Sequence, residues 1–329
     1  MTLVALGVSY FGNRFADHYR ERDLPAIVDA GCDFVVHTFS EHDHTYYIEA
    51  LHALVTATHD AGLQAWLDPW GVGGLFAGEA FSDFLVRHPD SWQVRPDGTR
   101  VAQACPNAPA SRELIVQWVD AAAATGADVV FWDDPSLPDG TDKRSGCVCG
   151  HCHLAFLAHR GVTIPIRDHL TVTAFQRESM LAFIGEACAM AKARGLRNVV
   201  GVVPGAAKGG AVALEALTSI PSVDTIATSP LWRAHRQPLD AYVTEAAADL
   251  VAACRRSGKR SMGWLQAFGI PAGAEEEIGR AAKLLANAGV EAIAAWSYWA
   301  GEPMTPVRSG DPGAAWQAVR SAFAAFSDR

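Results

Sequence analysis

Eight times along this chain a short run of β-forming, apolar residues is followed by a longer stretch of helical period, and this alternation limits the fold more than any other feature. The runs are Leu3–Val8, Phe34–His37, Gln64–Leu67, Val129–Trp132, Val199–Val203, Thr225–Ala227, Ser261–Trp264 and Ala292–Trp296. Helical stretches at Tyr46–Ala61, Arg112–Thr125, Ala174–Arg194, Leu239–Ser257, Glu275–Ala288 and Gly313–Phe326 alternate with them. Gly-led turns such as Ala30-Gly31-Cys32-Asp33, Gly126-Ala127-Asp128 and Gly289-Val290 lead back into the strands, as glycines past helix ends do. Strands that read as continuous apolar runs are buried on both faces, so the pattern predicts an α/β protein, a (β/α)8 TIM barrel. Such barrels reach 329 residues as one domain, and no linker, repeat or low-complexity tract divides residues 1–329. Two connections stand out as extended βα loops, 68–111 after the third strand and 134–173 after the fourth.

These loops carry four of the seven cysteines: Cys105 in Ala104-Cys105-Pro106-Asn107, and Cys147, Cys149 and Cys152 in Cys-Val-Cys-Gly-His-Cys. Closely spaced thiolates fold round one ion, and a distant fourth locks two segments together, which is the pattern of a tetrahedral zinc site. Any one of these cysteines alone reads as buried and unligated. Cys147 and Cys149 flank only Val148 and do not both belong to a core, so the four together predict structural Zn2+, or a site that has lost it. Cys32, Cys188 and Cys254 sit in apolar or helical contexts and read as core. An odd, clustered set of cysteines fits a reducing cytoplasm better than a secreted disulfide framework, and the first ten residues lack a basic region and cleavage site. With a formal net charge of −9 the chain has no basic stripe for a phosphate backbone, and it has no apolar run long enough for a membrane span, so neither nucleic acid nor membrane is expected as a partner.

A barrel performs chemistry at the C-terminal ends of its strands. Those ends hold His37, Asp68-Pro69-Trp70, Asp133-Asp134, Trp232, Gln266 and Trp296-Ser297-Tyr298-Trp299, followed by Glu302. Aromatic faces that stack on the apolar faces of sugars, beside carboxylates and imidazoles that reach hydroxyls, make a small carbohydrate the expected ligand. Each tryptophan alone reads equally as core. His42, Asp43 and His44 are too close in sequence to converge on one ion and read as solvated loop groups. His37 closes an apolar strand and is expected to bind substrate.

The acids Asp133 and Asp134, followed by Cys-Val-Cys-Gly-His-Cys and the aromatic helix start His153-Leu154-Ala155-Phe156, resemble the zinc-bearing β-galactosidases of glycoside hydrolase family 42, with Cys105 matching the upstream cysteine. The match covers roughly Cys105–Phe156; elsewhere, as in Trp66-Leu67-Asp68-Pro69-Trp70, the chain is similar to uncharacterised glycoside hydrolase-like barrels. The resemblance implies a structural zinc beside the active site and a general acid/base at the position of Asp134, with Asp133 where that family has Asn.

One departure accompanies it. A retaining glycosidase needs a nucleophilic carboxylate about 5–5.5 Å from the acid, and the resemblance implies a Glu at the end of strand seven. This chain has Ser261-Met262-Gly263-Trp264-Leu265-Gln266 there, and Gln266 cannot attack an anomeric carbon. The second carboxylate must come from Asp68, Glu302 or Asp133, with Asp68 preferred because a charge ending a buried strand needs a partner or a function; a wider spacing of about 6.5–9.5 Å gives an inverting enzyme. The sequence therefore predicts a glycosidase with Asp134 as proton donor, Asp133 and Asp68 as further catalytic acids, and His37, Trp70, Trp232, Gln266, Trp296, Tyr298, Trp299 and Glu302 as substrate-binding residues. A sugar isomerase, lyase or carbohydrate-binding pseudoenzyme is the alternative. The Gly-rich loop from Gly71 to Gly78, tied through Cys105 to the strand-four loop, predicts a pocket closed around one or two sugar units. Self-association into a homo-oligomer is left open by the sequence.

Overall fold

The computed structural model describes residues 4–10, 14–135, 146–205, 213–302 and 305–327. Its strands are β1 (Ala5–Tyr10), β2 (Phe34–Thr38), β3 (Gln64–Asp68), β4 (Trp92–Val94), β5 (Arg100–Ala104), β6 (Val129–Trp132), β7 (Arg197–Val202), β8 (Thr225–Thr228), β9 (Arg260–Gln266) and β10 (Ala292–Trp296). Eight of them pair in parallel and close in the order β1-β10-β9-β8-β7-β6-β3-β2, the expected barrel. Closure runs through Ala5↔Ala292 on one side of β1 and Gly7↔Phe34 on the other. All eight expected strands are in place; Leu3, expected to open the first, lies outside the described residues.

Alternation along the strands separates two cores. Inward side chains Phe34, Val36, Trp66, Val129, Phe131, Val199, Met262, Trp264 and Ala294 fill the barrel. Their neighbours Val35, Leu67, Val130, Trp132, Val200, Ile226, Leu265 and Ile293 pack outward under the helices. Gly7 gives the barrel interior space: a Cβ there would lie 2.2 Å from Phe34, whose ring stacks on Trp66 at 3.9 Å.

Three local features differ from the sequence reading. The loop after β3 contains an antiparallel hairpin, β4 with β5, reversed where Arg95 N–H donates to Thr99 O and Gly98 takes φ 85°. His42, Asp43 and His44 are helical rather than loop residues. They belong to the helix Glu41–Tyr46, which Ser40 caps by accepting from Asp43 N–H while the Asp43 carboxylate accepts from Ser40 N–H. The helix His169–Ala193 starts ahead of the expected Ala174 because Asp168 caps it through Thr171 N–H. Among the described residues no helix is long and apolar enough to cross a membrane.

Candidate active site and four-cysteine centre

Three aspartates meet at the C-terminal mouth of the barrel. Asp68 continues the inward set Gln64, Trp66 of β3 and is only 3% exposed; Trp70 N–H and Phe39 N–H both donate to its backbone carbonyl at 2.7 Å. Its Oδ1 is buried without a hydrogen-bond partner. Asp133 continues the inward set Val129, Phe131 of β6, and Gly201 on β7 leaves room for it, since a Cβ there would lie 3.2 Å from Asp133 Oδ1 and 2.9 Å from Phe131. Alternation therefore aims Asp133 into the barrel. Asp134 sits at φ 38° just past the strand, where strand alternation no longer sets its direction, its N–H donating to Gly201 O. This left-handed backbone turns its carboxyl into the same mouth, a conformation that costs an L-residue about 1–3 kcal/mol.

Among the described residues no cation offsets the charge of these acids. Burial pushes the Asp134 carboxyl up to about 6, opposed by a backbone hydrogen bond from Val203. Burial and the neighbouring charge of Asp134 push Asp133 up to about 7. Asp68 lies well above the carboxylate range, through burial and then the charge of Asp133. Near neutral pH the group thus holds protons beside a carboxylate, the protonation that donor and acceptor chemistry requires.

Asp133 and Asp134 open into a cavity of about 190 Å³ walled by Trp70, Trp264, Phe268 and Trp296. Trp70 and Trp296 lie near-parallel, with ring centres 6.0 Å apart, and Phe268 meets Trp296 edge-on at 4.3 Å. Glu79, which the sequence reading missed, reaches the same cavity from the Gly-rich loop. The loop is fixed by Glu41, whose buried carboxylate accepts from Gly73 N–H, Ser82 Oγ and Phe84 N–H at 2.8, 2.6 and 2.7 Å. Ala77 N–H donates to Asp133 O, which joins the loop to the acid pair.

Of the expected substrate-binding residues, Trp70 and Trp296 line this cavity and the others do not. Gln266 is buried, with Oε1 accepting from Arg233 N–H and Nε2 donating to Phe268 O. Trp232 is buried in the outer core and its indole N–H donates to Glu277. Tyr298 donates to Asp23 and packs on Trp316, while Trp299 is 41% exposed beside it. Glu302 faces Arg308 at 3.8 Å on the surface. His37 points outward from β2 to Thr58 Oγ1 at 3.0 Å, and burial lowers its pKa to about 3, so it stays neutral. Asp68 lies beneath the cavity rather than in its wall.

The four cysteines converge as their spacing predicts. Cys105, Cys147, Cys149 and Cys152 are buried, with sulfurs all within 4.8 Å of one another. A tetrahedral ion bound at about 2.3 Å needs sulfurs about 3.8 Å apart, so the set fits such a metal with small adjustment. Backbone and amide donors face the sulfurs: Val94 N–H to Cys147 at 3.3 Å, and Asn107 and Gln176 side chains to Cys152, each at 3.4 Å. These donors suit thiolates, and they join the β4–β5 hairpin, the helix Gly150–Arg160 and the helix His169–Ala193 at one point.

No protein-family model and no curated protein matches the chain, so the resemblance to family 42 rests on the motif around the cysteines alone. Among solved structures the chain is similar to the endo-1,4-β-mannanase of Rhizomucor miehei, at 9% identity and TM-score 0.67 over 99% of this chain and 96% of that one. The endo-β-1,4-mannanase of Thermotoga petrophila matches at 10% identity and TM-score 0.58, covering 99% of this chain and 77% of that one. A D-allulose 3-epimerase from a Methylomonas species, in complex with D-allulose, matches at 11% identity and TM-score 0.52, covering 100% and 98%. At these identities the likeness is one of fold, and the fold is the (β/α)8 barrel shared by glycoside hydrolases and sugar epimerases.

Proposed function

We propose that the protein is a sugar-processing barrel, and specifically a glycosidase that hydrolyses a small neutral glycoside by inversion. The observation that carries this reading is the acid pair Asp133 and Asp134, held at raised pKa in a cavity walled by indoles. Asp134 donates its proton to the leaving oxygen as the glycosidic bond breaks, so the working range lies towards and below about pH 6, where its carboxyl is protonated. Asp133 orients the sugar hydroxyls. Asp68 keeps its own proton beneath them, because burial and the charge of Asp133 disfavour its ionised form. Glu79, across the same cavity, takes a proton from the water whose oxygen attacks the anomeric carbon, a role Asp68 is too deep to fill. The ring stacks on Trp70 and Trp296.

The four-cysteine group holds a structural zinc that pins the two long loops outside the chemistry, and a reducing cytoplasm keeps its thiols available. A non-hydrolytic sugar isomerase, lyase or binding barrel is the second reading, favoured by Gln266, which occupies the strand-seven tip without an acid and is committed to backbone partners. Incubation with a panel of aryl glycosides separates the two. Release of the aryl group with an inverted reducing sugar supports hydrolysis; saturable sugar binding without release from any member supports the second reading.

A further inference from the structure

A second cavity, of about 310 Å³, opens on the other side of Trp70, between the ends of β1 and β2 and the helix Ile48–Asp60. Among the described residues it shares only Trp70 and Glu79 with the cavity of the aspartates. We propose that this second compartment binds a neutral sugar ring, so that the ligand of the site is an uncharged two-ring glycoside running past Trp70. The inference rests on the first cavity taking a sugar, and extends that reading to the substrate class.

Three features point to such a ring. Tyr10, Tyr47 and Trp70 supply apolar faces to the walls. Arg14 is held in place, its Nε donating to Asp43 Oδ1 at 2.7 Å and its guanidinium lying 4.2 Å from the centre of the Tyr47 ring, so a donor group and an acceptor group sit side by side as a sugar diol requires. His37 lies at the base, 1% exposed, with a buried Nδ1 that has no hydrogen-bond partner. The charge balance excludes an acidic ring: Asp43 compensates Arg14, His37 is neutral, and Glu79 adds a second acid, so a uronate carboxylate would meet net negative charge. Each compartment is near or below the small end of ligand pockets, about 300 Å³, which suits one ring apiece.

The test is calorimetric titration of the wild type, Tyr47→Ala and Arg14→Gln with methyl glucoside, mannoside and galactoside, with the matching neutral disaccharides cellobiose, mannobiose and lactose, and with cellobiouronic acid. The best neutral disaccharide should bind about tenfold more tightly than its monosaccharide, the worth of one stacking and hydrogen-bonding face. That ratio should fall towards one in both variants, and the acidic disaccharide should bind more weakly than the neutral one. Arg14 is exposed, so its variant keeps the test open if Tyr47→Ala fails to fold. A ratio unchanged in the folded variants, an acid that binds tighter, or monosaccharides that bind as well as disaccharides would overturn the second compartment while leaving the first intact. Absence of binding by every sugar would overturn both.

Discussion

Asp133 should cost the fold stability that asparagine would restore. Its carboxyl rises from an ordinary 3.8 to about 7 on folding. At about 1.4 kcal/mol per pKa unit, that rise makes the ionised side chain worth a penalty of about 4 kcal/mol at alkaline pH. Because Asp68 and Asp134 re-protonate in response, about 2 kcal/mol is the expected net. The sign follows from the direction. A carboxyl raised on folding favours the folded state below its unfolded pKa near 4, and this contribution is lost as pH climbs through about 7. Asp133→Asn keeps the shape and removes the charge. Urea unfolding should find the variant about as stable as wild type at pH 4 and about 2 kcal/mol more stable at pH 8, with loss of turnover, as expected where a site holds strained groups for function. An asparagine variant less stable at pH 8, or a stability difference independent of pH, would refute the reasoning.

Three further outcomes follow from the packing. Cys149→Ser should abolish a content of close to one zinc per chain, measured by plasma emission spectrometry, and lower the melting temperature, because the two long loops lose their common anchor. Gly78→Ala should disturb the cavity wall: at φ 123° its Cβ would lie 2.5 Å from Trp70 Cδ2 and 2.8 Å from Gly71 N, so sugar binding should weaken and indole fluorescence should shift while the barrel still folds. Glu41→Gln places an NH2 group where the carboxylate accepts from backbone N–H groups and a hydroxyl; amide exchange at Gly73 and Phe84 should speed up, with a stability loss of about 2–3 kcal/mol in denaturant unfolding.

The barrel was legible because strands buried on both faces leave continuous apolar runs such as Val129-Val130-Phe131-Trp132, and each expected run is a strand. The cysteine centre was legible because spacing alone brings Cys147, Cys149 and Cys152 round one point. The mouth was legible only in part. Trp232 follows a strand much as Trp70 does, yet its indole N–H finds Glu277 on a distant helix, a partner that nothing in the local sequence reveals. Gln266 has the inward position its register implies, but its amide is taken up by the loops on either side. Alternation could not choose between Asp133 and Asp134, because the strand ends between them and the φ of 38° resets the direction. Glu79 lay hidden in a glycine loop whose course depends on the buried Glu41. The β4–β5 hairpin had a readable signal, Asp97-Gly98 between two β-forming runs.

Asp134→Asn, assayed across aryl glycosides of graded leaving-group acidity, tests the central claim most directly. If Asp134 protonates the leaving oxygen, kcat/KM for poor leaving groups should fall by about 10²–10⁴, the usual worth of general acid catalysis, while highly acidic leaving groups are nearly spared. The steepened dependence on leaving-group pKa is the signature. A uniform loss across the series, or unchanged activity on every substrate, would contradict a proton-donating Asp134 and leave the pair as a turn that closes β6.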